Sequence, residues 1–87
     1  MEKQAIQFLE ARPHLVWYVG DIENLSENSL VEHVLNYGTW QDVQELISIL
    51  GMQHVAEIFQ KQASATRSNY RPDMRHYFTL YFNRHAA

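Results

Sequence analysis

Five histidines in 87 residues raise metal ligation as the first chemistry to consider. His14, His33, His54, His76 and His85 show none of the i, i+3 or i+4 spacings that put two imidazoles on one helix face. They read as surface or partly buried groups, and no metal and no other cofactor is expected. The chain has no cysteine, which removes thiolate zinc sites, disulfides and cysteine nucleophiles together. No serine sits in a Gly-x-Ser-x-Gly elbow, and three scattered glycines do not make a phosphate-binding loop. Asp21 and Glu23 form a carboxylate pair, but a solvated loop accounts for it equally well. The expectation is a protein that is not an enzyme, with no catalytic residues.

Arginines interleaved with aromatics are the stronger signal. Residues 1–50 carry eight acids against Lys3 and Arg12, a net of −6, whereas residues 51–87 carry five bases against two acids, a net of +3. The basic half holds Arg67, Tyr70, Arg71, Arg75, His76, Tyr77, Tyr81 and Arg84. Such a face can track a phosphate backbone and stack bases. Against this, Tyr77, Phe78, Tyr81 and Phe82 at helical spacing are what a core helix needs, and core with the arginines as its solvated rim is the preferred reading. The overall charge of −3 also opposes non-specific binding to a polyanion. A helix-turn-helix reading of 45–60 fails its own test. With Gly51 as the turn glycine, the positions its second helix must bury are Glu57 and Gln60.

The elements that position these residues read as short helices. Residues 3–11 form one, with Ile6 and Leu9 inward, ended by Arg12-Pro13. Leu30, Val31, Val34 and Leu35 mark a second, opened by Ser26 with Leu25 and Leu30 as a staple, or by Ser29 with Glu32. Gly38 is expected to close it in the left-handed conformation. Thr39 and Asp42 then form a box-like N-cap for a third helix striped with Trp40, Val43, Leu46, Ile47 and Leu50. Gly51 stops that helix in a setting similar to that of Gly38, and Val55, Ile58 and Phe59 mark a fourth. Residues 64–69 read as a loop, and Pro72 opens a last helix striped with Met74, Tyr77, Phe78, Tyr81 and Phe82.

Leu15 to Val19 resists this pattern. Its residue types favour a strand, so it reads as an extended segment plugging the core, with Trp17 as anchor. If residues 77–82 were also a strand, the two would pair and the fold would be α+β. The preferred fold class is all-α: one domain over 1–87, a bundle of four or five helices with an extended Trp-containing segment near 15–19. The longest apolar run is too short to span a bilayer, and Met1 to Gln4 lack a signal-peptide layout. A cytoplasmic protein that does not enter membranes is the expectation.

Pro13-His14-Leu15-Val16-Trp17, Leu35 through Val43, Leu46-Ile47 and Leu50-Gly51 resemble a family of small bacterial helical domains of uncharacterised function. The resemblance covers about residues 13–59 and rests on helix punctuation. Genes of that family often sit beside nucleotidyltransferase-type toxin genes, which implies an antitoxin-like or accessory role. The segment after Trp17 reads Tyr18-Val19 and lacks the acidic residue expected there, and no functional residues transfer with the pattern.

Together these features predict a non-enzymatic protein-interaction module. It would meet a protein partner or a second copy through Tyr37, Trp40, Arg71, Arg75, Tyr77 and Tyr81, residue types enriched at binding hot spots. The alternative is a small nucleic-acid-binding regulator using Arg67, Arg71, Arg75 and Arg84.

Overall fold

Six helices and no strand are formed among residues 3–16, 25–65 and 68–86, the residues described by the computed structural model. In chain order they are α1 (Lys3–Glu10), α2 (Pro13–Val16), α3 (Glu27–Tyr37), α4 (Trp40–Leu50), α5 (Met52–Ala63) and α6 (Pro72–His85). The all-α class is therefore observed. The helix beyond the expected five is α2, a single turn whose Leu15 amide donates to the Arg12 carbonyl at 3.0 Å. Leu15 and Val16 are thus helical rather than extended. Pro13 supplies the reason, because its fixed φ and missing donor suit a first helical turn. Residues 17–19, including the expected anchor Trp17, lie outside the described residues.

Helix ends follow local chemistry. Ser26 caps α3, its hydroxyl accepting the Ser29 amide at 3.1 Å. Leu25 and Leu30 lie on either side of that cap, packed on and within the core. Ser29 spends its amide on Ser26, so the competing cap at Ser29 and Glu32 does not form. At α4 the capping box is complete: Thr39 Oγ1 accepts the Asp42 amide at 3.1 Å, and Asp42 Oδ2 accepts the Thr39 amide at 2.9 Å.

The two glycines differ. Gly38 has φ −76° and ψ 162°, an extended conformation rather than the expected left-handed one. It is glycine for space: a Cβ there would lie 2.7 Å from the Val34 carbonyl oxygen and 3.1 Å from Asp42 Cβ. Gly51 has φ +94° with open space around it, so its backbone conformation is what requires glycine. It ends α4 and starts α5 at one residue.

Every helix contributes to one core. Ala5, Phe8 and Leu9 of α1, Leu15 of α2, four aliphatics of α3, and Val43 and Leu46 of α4 meet Val55, Ile58 and Phe59 of α5. Phe59 is fully buried against Phe78 and Phe82 of α6 and against Tyr70, with ring centroids 5.0 to 6.1 Å apart. Burying a ring of this size contributes about 2–3 kcal/mol, so these contacts fix where α6 lies. Tyr70 is therefore part of the interior and not of a base-stacking face. Its hydroxyl donates to Gln62 Oε1 at 2.5 Å, and burial, with the charge of Glu32, pushes its pKa up.

Asn36 completes the frame. Buried at the end of α3, it accepts the Arg71 amide on Oδ1 at 3.0 Å and donates from Nδ2 to the Asn69 carbonyl at 3.2 Å. The segment entering α6 is pinned by one side chain whose donors and acceptor suit both tasks.

Candidate interaction surface

Two places concentrate side chains capable of more than filling space. The first is Asp42. Its carboxylate, in a residue only 6% exposed, accepts from the Thr39 amide, from Arg12 Nε at 2.8 Å and from His14 Nε2 at 2.9 Å. Burial alone raises the Asp42 pKa, but these donors outweigh it and hold the group at about 2. Arg12 also donates to the Phe8 carbonyl at 3.0 Å, reaches Glu45 and lies 4.0 Å over the Phe8 ring. The arrangement clamps α1 and α2 onto α4. Asp42 and His14 sit 28 residues apart in sequence, and only the fold unites them.

The second place joins the start of α4 to one flank of α6. Trp40, the first residue of α4, meets Tyr81 edge-on at 5.3 Å and Tyr77 at 6.1 Å, and the two tyrosines stack on each other. These rings border an open groove of about 270 Å³ lined by Leu35, Gly38, Val43, Met74 and Phe78 together with Trp40 and Tyr77. Trp40 is 44% exposed and Tyr77 47%. Tyr81 is half-buried and touches His85.

The remaining expected residues fall elsewhere. Tyr37 is exposed at the end of α3, its ring 6.4 Å from His33. Arg71 precedes α6 and pairs with Asp73 at 3.2 Å, a contact that lowers the Asp73 pKa. Arg75 lies on the flank of α6 toward α5, beside Phe59, Gln60 and Thr79. Arg75 and Arg84 are nine residues apart, two and a half helical turns, and so point to opposite sides of α6. Arg67 lies outside the described residues. The structure thus gathers Trp40, Tyr77 and Tyr81, and sets Arg84 on the opposite side of α6 from Arg75.

Sequence reasoning missed Leu80, the most exposed large apolar residue described, at 58%. Its signal was present. It falls off the Met74–Phe82 stripe and has no place on the inward face. Among the described residues no group of three or more His, Asp or Glu is arranged to hold a metal ion. No described helix is long and apolar enough to cross a membrane. No family model, no curated protein and no solved structure matches this chain.

Proposed function

We propose that the chain is a non-enzymatic protein-interaction module that docks through Trp40, Tyr77, Tyr81 and Leu80. The observation that supports this reading is that Trp40 and Tyr77 stay half-exposed beside an apolar groove and Leu80 lies out in solvent, while Arg12, His14, Thr39, Asp42 and Glu45 are tied to one another. Tryptophan and tyrosine in such a setting give large contact area at low conformational cost. The placement of Arg75 and Arg84 on opposite sides of α6 favours this reading over nucleic-acid binding, which draws on a continuous cationic track. An antitoxin-like or accessory role in a bacterial cytoplasm is the narrower form of the reading. Its support is the resemblance over residues 13–59.

The test compares wild type with Tyr77→Glu in affinity capture, with nuclease and high-salt arms. A protein retained through both treatments by wild type and lost from the variant fits the docking reading. Nucleic acid that leaves with salt, and no protein lost with the Tyr77 substitution, contradicts it.

A further inference from the structure

We propose that the partner is a second copy of the chain, bound through an antiparallel pairing of α6 with α6 along the seam Asp73–Tyr77–Leu80–Arg84. This deepens the docking reading and rests on it.

The seam is a second helical face. Its spacings of four, three and four residues are those of the a and d positions of a heptad. At about 100° per residue it lies roughly 150° around the helix from Phe78 and Phe82, the two buried residues of α6. All four seam residues are exposed, and among the described residues α6 packs on α3 and α5, with Trp40 of α4 against its Tyr77–Tyr81 flank. Phe78 and Phe82 account for the helix as part of the fold. Nothing within the described chain accounts for Leu80, which exposes an aliphatic side chain in the middle of a 14-residue helix.

The order of chemistry along the seam selects the occupant. An acid stands at one end and a base at the other, about 16 Å apart, with Tyr77 and Leu80 between them. In an antiparallel pair about a two-fold axis, Asp73 of one copy faces Arg84 of the other, and Tyr77 faces Leu80. Each of these contacts then occurs twice, as an isologous interface requires. A parallel pair would set Asp73 against Asp73 and Arg84 against Arg84, so charge rejects it. Charge complementarity and the apolar centre are therefore satisfied together by the same sequence running the other way. Trp40 and Tyr81 border the seam and widen the apolar contact on one flank.

The pair between Arg71 and Asp73 does not compete. It is solvent-exposed, such pairs contribute little, and a carboxylate accepts more than one donor. One helix pair with its flanks falls at the small end of interfaces, below about 1,200 Å², so the dimer is concentration-dependent.

Sedimentation equilibrium over a concentration series tests the pairing. The wild-type mass is expected to rise from one chain to two. D73R and R84D each place like charges opposite one another twice, and each should weaken association by about tenfold or more. An equimolar mixture of D73R and R84D restores both complementary contacts, so it should associate where neither does alone. Leu80→Gln, a change at a solvated position that leaves folding intact, should also lose the dimer. A wild type that stays at one chain throughout overturns the pairing, even if Tyr77-dependent capture of another protein survives. Folded D73R and R84D that associate as wild type does, or that fail to associate when mixed, overturn it as well.

Discussion

The Asp42 clamp and the outer face of α6 lie in one small molecule and follow opposite rules. Around Asp42, a buried carboxylate has three donors, its arginine partner has a carbonyl, a second acid and a ring, and the helix end is capped. On α6, Tyr77 and Leu80 leave about half of their surface in water, Tyr77 beside an open groove. The first region uses its chemistry on itself and holds the fold. The second withholds apolar surface from the fold. In a domain this small, where burial is scarce, that withheld surface is the better guide to function.

Mutations sharpen the contrast, beginning at the clamp. Asp42→Ala removes the partner of a partly buried guanidinium and reopens the α4 cap, so urea denaturation should show a loss of about 3 kcal/mol. Acid makes the same point without mutation. Because the folded pKa of Asp42 is lowered from 3.8 to about 2, the stabilisation is full above pH 4 and lost as pH falls toward 2. It amounts to about 2 kcal/mol. Unfolding free energy followed over that window should fall in wild type and fall less in Asp42→Asn.

The glycines come next. Gly38→Ala drives a methyl into the Val34 carbonyl and should cost about 2 kcal/mol, against about 1 kcal/mol for Gly51→Ala, which meets only backbone strain. Equal costs would show that Gly38 and Gly51 are alike after all. The smallest stability effect belongs to the outer face. Leu80→Gln should change the monomer by less than about 0.5 kcal/mol. A large loss there would erase the difference between the two regions.

Much of the fold was legible in the sequence because helix punctuation is local. Ser26, Thr39 with Asp42, Gly51 and Pro72 each act within a few residues, and each marks an observed boundary. The role of Gly38 was not legible, because its neighbours are set by how α3 turns into α4. The Asp42 clamp escaped for the same reason, since Arg12 and His14 arrive from another helix. Asn36 read as part of a helix end, yet it anchors residues 69 and 71 across the fold. On α6, the stripe Met74, Tyr77, Phe78, Tyr81 and Phe82 read as one face. Its edge at Phe78 and Phe82 is core, its middle at Met74 and Tyr81 is half-buried and its other edge at Tyr77 is surface, because α3 and α5 cover one side of the helix. Leu80 needed a second stripe to be drawn.

On the docking reading, the outer face of α6 is spare to the fold and used for association. Leu80→Gln measures it most directly when mass and thermal unfolding are followed on the same samples, with the melt taken at high dilution so that association does not raise the wild-type Tm. The expected variant melts as the dilute wild type does and remains a single chain at concentrations where wild type is a dimer. A variant that loses thermal stability at high dilution, or that dimerises unchanged, would contradict it.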